Sequence, residues 1–234
     1  MTDSVDRIPS GIPGFDALIG GGFVKNTVSV IYGSPGVGKS IFAMQFLREG
    51  LKTGEKAFYI SLEQTRESLL RQADSLGFSE FRENLVFAKM TGHDFKSFLS
   101  TELPKILSMR SGKEARVVVD PLTPLFWEVK DIALQRTMLE NLFILLRSLG
   151  TTIVTIEKYG NINLLELSED LAMPLYLGDA VILISLIFNQ NFYQTAISVL
   201  KMRFSQHSSG LHPFEITSSG IHIFQDQPIF EIWK

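Results

Sequence analysis

Gly33-Ser34-Pro35-Gly36-Val37-Gly38-Lys39-Ser40 constrains the fold of this chain more than any other stretch. The apolar run Val28-Ser29-Val30-Ile31-Tyr32 enters it as a strand, and Ile41-Phe42-Ala43-Met44-Gln45-Phe46-Leu47 leaves it as a helix. The glycines let the backbone turn successive N–H groups inward, and the helix N-terminus adds partial positive charge. Strand, glycine loop and helix in that order make a phosphate-binding loop, G-x-x-x-x-G-K-[ST]. In such a loop Ser34 to Ile41 wrap the phosphates. Lys39 reaches the β- and γ-phosphates, and the Ser40 hydroxyl faces Mg2+. A phosphate-bearing ligand accompanied by Mg2+ is the expected occupant.

The rest of the chain alternates between two periodicities. Ala57–Ser61, Leu85–Lys89, Arg116–Asp120 and Thr151–Glu157 are short apolar runs with the character of buried strands. Arg66–Leu76 carries Leu69, Leu70, Ala73 and Leu76 at helical spacing and stops at Gly77, and Ile132–Leu149 is a helix that stops at Gly150. Phe95–Met109 reads as helical despite Pro104. Strands separated by helices predict βαβ units and a parallel sheet covered on both faces. After residue 175 the pattern changes. Asp179–Phe188 and Gln194–Arg203 flank Asn189-Gln190-Asn191, and Phe214–Thr217 and Ile221–Phe224 flank Ser218-Ser219-Gly220. Both pairs predict antiparallel hairpins. The expected architecture is α/β, with a mainly parallel central sheet flanked by helices and a C-terminal antiparallel β extension. It forms one domain over residues 1–234.

Composition narrows the function classes. Apolar residues make up 45% of the chain and 18 are Phe, enough for a sizeable core. There is no cysteine, so disulfides, thiol chemistry and cysteine-type zinc sites are excluded. A net charge of −3 provides no overall basic field for nucleic acid. The N-terminus is polar and acidic, unlike a signal peptide. No apolar run approaches the roughly 18 residues that span a bilayer, and the longest, Ala180–Phe188, reads as a buried strand. The expectation is a cytoplasmic protein without membrane insertion.

Phosphoryl transfer needs more than a phosphate loop: a metal anchor, a group that handles the nucleophile, and positive charge for the transition state. Asp120 ends the strand Val117-Val118-Val119, where its carboxylate can hold Mg2+ or its water shell together with Ser40. Glu63 lies just beyond Ala57–Ser61, facing the ligand crevice of an open α/β sheet. Spacing alone leaves it either a water-polarising carboxylate or a solvated residue before the next helix. Lys201 and Arg203 alternate with Met202 and share one strand face. That face is either solvated surface, which sequence physics favours, or a phosphate clamp.

Taken in order, these residues resemble the KaiC-type ATPases of the RecA superfamily. Ser10-Gly11-Ile12-Pro13-Gly14-Phe15-Asp16 with Gly20-Gly21-Gly22 resembles the family's opening segment. The likeness continues through the phosphate loop, Tyr59–Glu63, Val117–Asp120, Thr151–Glu157, Lys201-Met202-Arg203 and His212–Thr217. It implies a RecA-like P-loop NTPase fold and Mg-dependent ATP hydrolysis with Glu63 as the catalytic glutamate. It also implies that Lys39, Lys201 and Arg203 act on the phosphates, the last two reaching the ATP of a neighbouring subunit, with His207 following in the same segment. The implied assembly is a homo-oligomer, a hexameric ring with ATP between subunits, in a regulatory role with an unidentified protein partner. The sequence departs from the family at Gln64, where a second acid is usual, at Pro121, where a small polar residue is usual, and at Phe204, where glycine is usual. Nucleic acid, the partner of the related recombinases, is less favoured. The segment Lys158 to Asp170 carries one basic residue, Lys158, against Glu166, Glu169 and Asp170. A third reading is a pseudoenzyme that holds ATP and recruits a protein partner; Gln64 is the residue that speaks for it.

Overall fold

The computed structural model describes residues 5–89, 97–109, 114–158, 169–189, 192–227 and 229. Among them the first elements are β1 (Arg7–Ile8), α1 (Phe15–Leu18) and β2 (Phe23–Val24), with β1 and β2 pairing antiparallel. The phosphate-loop unit follows as β3 (Val28–Gly33) and α2 (Lys39–Lys52). Next come β4 (Lys56–Ser61), α3 (Arg66–Ser75), β5 (Leu85–Lys89), α4 (Leu103–Met109) and β6 (Ala115–Asp120). Then α5 (Thr123–Glu128), α6 (Ile132–Leu149), β7 (Thr151–Glu157) and α7 (Glu169–Leu177) lead into β8 (Ala180–Asn189), β9 (Phe192–Met202), β10 (Leu211–Thr217) and β11 (Gly220–Ile223).

The nine strands from β3 onward form one sheet in the order β11-β10-β9-β8-β3-β7-β6-β4-β5. The block from β8 to β5 is parallel, and β8 to β11 continue it as antiparallel neighbours. The expected parallel core and C-terminal antiparallel extension are both present. β3 is buried at all six positions. Its alternate residues enter two different cores: Ile31 joins the cluster packed on α2, and Val28, Val30 and Tyr32 join the cluster packed on α6. A strand covered on both faces has no polar side, and so its sequence runs apolar without alternation.

The cluster on α2 takes in the N-terminal segment. The Phe15 ring meets Phe42 edge-on at 5.0 Å, and Phe23 meets Phe46 at 5.4 Å. Arg116, fully buried on β6, ties this side together. Its guanidinium donates to Pro9 O at 2.7 Å and Phe46 O at 3.0 Å, pairs with Glu55, and lies over the Phe46 ring. A buried charge is tolerable only when paired and hydrogen-bonded in this way.

One expectation changes, one falls partly outside the described residues, and two helices were not anticipated. The segment read as a helix over 95–109 is a wide π-type turn, Phe98–Glu102, running into α4, while residues 95 and 96 lie outside the described residues. Pro104, at the second position of α4, has no N–H to give and crowds the carbonyl four residues back, which a widened turn accommodates. The loop Asn189-Gln190-Asn191 is described only at Asn189. Two short helices, α5 and α7, have no strong sequence signal, because each carries a proline near or within it (Pro124 and Pro174). Among the described residues no helix is long and apolar enough to cross a membrane.

Candidate functional site

The sheet order sets the site. β3, β7, β6 and β4 are consecutive, and their C-terminal ends meet: Gly33 pairs with Glu157, Asp120 pairs with Ser61, and Val119 pairs with Val154, which carries Glu157 two residues beyond the level of Asp120. A crevice at the C-terminal ends of parallel strands is where open α/β sheets bind ligands. Here it is a cavity of about 220 Å3 lined by Gly36, Gly38, Lys39, Ser40, Ile41, Glu63, Gln64, Gln72, Asp120, Pro121 and Glu157.

The loop is held open from below. A side chain at Gly33 would strike the Ile184 carbonyl at 2.1 Å, so only glycine lets β3 pass so close to β8. Gly38 is left-handed, with φ of 105°, as it feeds the first turn of α2. Lys39 is 5% exposed. Its ammonium donates to Gly33 O at 3.0 Å and Ser34 O at 2.8 Å and stands 3.9 Å from the Glu157 carboxylate. Burial pulls its pKa down, and the charges of Glu157, Asp120 and Glu63 oppose that pull. Val37 is buried in the core, so it can offer a ligand only its backbone; Ser34 and Pro35 do not line the cavity.

Asp120 is buried and gripped from both flanking strands. Tyr59 of β4 donates its phenol proton to one carboxylate oxygen, and Thr155 of β7 donates its hydroxyl to the other. Burial, and then the charge of Asp120, hold the Tyr59 phenol well above its ordinary pKa. Glu63 is exposed at the rim. Its pKa is raised by partial desolvation, then by the charges of Glu157 and Asp120, against the lowering effect of Lys39. Gln64 is fixed in the wall: its N–H donates to Ser61 Oγ at 2.9 Å, and its side-chain oxygen accepts from Ser68.

The expected site residues thus divide. Lys39, Ser40, Asp120 and Glu63 come together at one cavity. Lys201 and Arg203 do not. Lys201 pairs with Val181, near the start of β8, and Val181 is level with Val30. Three residues of strand, roughly 10 Å, separate that level from Gly33. Lys201 donates to Leu175 O at 3.2 Å and Tyr176 O at 2.8 Å, at the end of α7, and Arg203 pairs with Asp179 at 3.2 Å. Both cations reach the Tyr176 carbonyl, so the shared face expected for them is present, at the end of the strands away from the cavity. The segment on which a nucleic-acid reading turns, 158–170, is described only at Lys158, Glu169 and Asp170.

Three residues of the site are absent from the sequence reading: Glu157, Tyr59 and Thr155. Glu157 carries the same signal as Glu63, a carboxylate at a strand tip. Its relevance depends on β7 lying between β3 and β6, and strand order is not written locally in a sequence. Tyr59 and Thr155 look like ordinary strand residues until Asp120 is seen between them.

Oxygen ligands from a hydroxyl and a single carboxylate, beside a cradle of backbone N–H groups, fit a hard cation carried by a phosphate ligand. Ser40 and Asp120 are the residues that would hold it. The family model for the KaiC ATPase matches residues 8–228. The chain belongs to the KaiC family. It is 29% identical over 232 residues to the circadian clock protein KaiC3 of Synechocystis, covering 92% of this chain but 45% of that protein. It therefore spans less than half the length of that KaiC relative. A UPF0273 protein of Pyrococcus furiosus is 28% identical over 241 residues and matches nearly end to end, 95% of this chain and 96% of the relative. The crystal structure of a KaiC-like protein from Pyrococcus horikoshii superposes with a TM-score of 0.81 at 29% identity, covering 94% of this chain and 99% of that one.

Proposed function

We propose that residues 1–234 act as a single domain that binds MgATP in this cavity and hydrolyses it, with the nucleotide lying between copies of the chain. The observation that carries the reading is the convergence of Lys39, Ser40, Asp120 and Glu63 on one cavity at the tips of four adjacent strands. Each has a distinct part. Lys39 neutralises the β- and γ-phosphates, Ser40 and Asp120 hold Mg2+, and Glu63 orients the attacking water and takes its proton. The bound ion supplies charge to the phosphate oxygens; the chain supplies placement. Family membership supports the nucleotide and the ion. Lys201 and Arg203, placed away from their own chain's cavity, support a ring in which each copy lends its cations to a neighbour. We assign this assembly a regulatory role in the cytoplasm, with an unidentified protein partner.

The test is Glu63→Gln. Calorimetry is expected to find ATP affinity near that of the wild type, and a phosphate-release assay to find turnover reduced by about 100-fold or more, since only the reactive step needs the carboxylate. Unchanged turnover in the variant would move the role to another residue. A wild type that holds ATP without turning it over would make the chain a nucleotide-binding platform, the reading for which Gln64 speaks.

A further inference from the structure

We propose that Glu157 sets how tightly the loop holds a triphosphate: its carboxylate is the counter-charge of Lys39, the terminal phosphate of ATP takes over that role, and Glu157 resumes it when the phosphate leaves. This rests on the MgATP reading above.

Strand register puts the carboxylate there. Glu157 pairs with Gly33, the residue whose carbonyl holds the Lys39 ammonium. Alternate side chains of a strand share a face. On β7, Ile153 lies in the cluster packed on α2, and Thr155 reaches Asp120 from the same face. Glu157 ends that row, on the face covered by the helix that begins at Lys39. Two residues of strand, about 7 Å, carry it past the level of Asp120, toward the mouth of the loop where the last phosphate of a triphosphate lies. The strand tip is anchored by its backbone, since the Glu157 N–H donates to the Thr123 hydroxyl at 2.8 Å.

The distance suits a partner that gives way. Lys39 carries three protons, and Gly33 O and Ser34 O accept two of them. The Glu157 carboxylate stands 3.9 Å from the ammonium. A charge-assisted hydrogen bond is about 2.7–2.9 Å long, so Glu157 neutralises the cation without bonding to it. Burial draws the Lys39 pKa down, and Glu157 heads the charges that hold it up, in keeping with that pairing. A phosphate oxygen can make the bond that the carboxylate does not, and it takes Lys39 from Glu157. Two negative groups then face one cation in a partly buried site, which opposes the bound triphosphate. When the terminal phosphate leaves, that opposition ends and Glu157 regains the ammonium. An interaction of this sign weakens the ground state, where tight binding adds nothing to the rate, and favours release.

Calorimetry in excess Mg2+ measures ATP and ADP affinity in the wild type, Glu157→Gln and Glu157→Asp. Glu157→Gln keeps the shape and removes the charge. It is expected to bind ATP about tenfold more tightly than the wild type, and ADP less than about threefold more tightly, because ADP lacks the phosphate that meets the carboxylate. Glu157→Asp keeps the charge and is expected to bind ATP within about threefold of the wild type. A side chain that only supported the strand tip would lose affinity on substitution; loss of a competitor gains it. Unchanged or weaker ATP binding in Glu157→Gln, equal tightening for ATP and ADP, or a gain of the same size in Glu157→Asp overturns the proposal. Should Glu157→Gln fail to fold, Glu157→Ala carries the same expectation, and failure of both would make the carboxylate a structural group and overturn the proposal too. A wild type that binds neither nucleotide overturns the MgATP reading itself, and the role of Glu157 falls with it.

Discussion

Lys39, Glu63, Asp120 and Glu157 share the mouth of one loop, and their charges bear on Lys39 and on Glu63. Glu157 stands 3.9 Å from the buried Lys39 ammonium and heads the charges that raise the Glu63 pKa. Desolvation is the largest cause of that rise, and only Lys39 works in the opposite direction. In the proposed mechanism Glu63 acts as a base and must be ionised. Its raised pKa therefore places the acidic limb of kcat/KM above the ordinary glutamate range: activity is present above that pKa and lost as pH falls through it. Glu157→Gln removes the larger of the two neighbouring negative charges. It is expected to shift the acidic limb to lower pH, toward the value of an unperturbed glutamate, and a kcat/KM profile against pH checks this. A limb that stays in place or moves up would mean that Glu157 does not act on Glu63. Phe204 shows a different conflict at single-residue scale. It sits in the left-handed region with φ of 65°, where glycine would be unstrained. A bulky residue in that region costs about 1–2 kcal/mol, and its ring is 66% exposed, so burial returns little.

At the scale of elements, the notable joint is between α2 and the C-terminal hairpin. Gln45, buried on α2, acts as a strand partner for Ile221: its side-chain oxygen accepts from Ile221 N at 2.6 Å, and its amide donates to Ile221 O at 3.2 Å. Ile216 and Ile221 of the same hairpin crowd Gly38 in the loop. The last of the described strands therefore brace the helix that presents Lys39 and Ser40. Gln45→Leu keeps the volume but leaves both Ile221 groups without a partner. A loss of about 1–3 kcal/mol is expected from the unfolding midpoint in denaturant, with amide exchange rising first across β10 and β11. Unchanged exchange in that hairpin would show that Gln45 does not brace it. Elements with strong periodicity were legible from sequence: β3, β4, β6 and β7 as apolar runs, α3 and α6 as amphipathic stretches closed by glycines, and both hairpins from their turn residues. α5 and α7 were not, since proline interrupts the pattern and packing overrides propensity. The site was legible where chemistry is carried by a local motif, as at Lys39 and Ser40. It was illegible where it depends on which strands are neighbours, as at Glu157, Tyr59 and Thr155.

For the whole molecule, the decisive asymmetry is that the cavity opens at the C-terminal end of the parallel strands while Lys201 and Arg203 lie toward the other end. A chain built this way cannot place those cations on its own nucleotide, but a neighbour stacked around a ring can. In this structure both cations are occupied internally. Arg203 shares the buried Asp179 with Arg147, whose guanidinium meets that carboxylate at 2.9 Å, and the Val28 N–H donates to Asp179 as well. If Arg203 swings out to a neighbour's phosphate, Asp179 keeps Arg147, so the buried charge is never left unpaired. The proposed ring predicts complementation. Glu63→Gln chains and Arg203→Ala chains, each close to inactive alone, are mixed with ATP. In a random equal mixture about one quarter of interfaces pair an intact Glu63 with an intact Arg203, so a phosphate-release assay is expected to recover activity of that order. Mixed rings that form and recover none would remove Arg203 from the neighbour's site. If ATP-bound chains stay monomeric in the ultracentrifuge across a wide concentration range, Lys201 and Arg203 are a solvated face capping α7, and the nucleotide is handled by one chain alone.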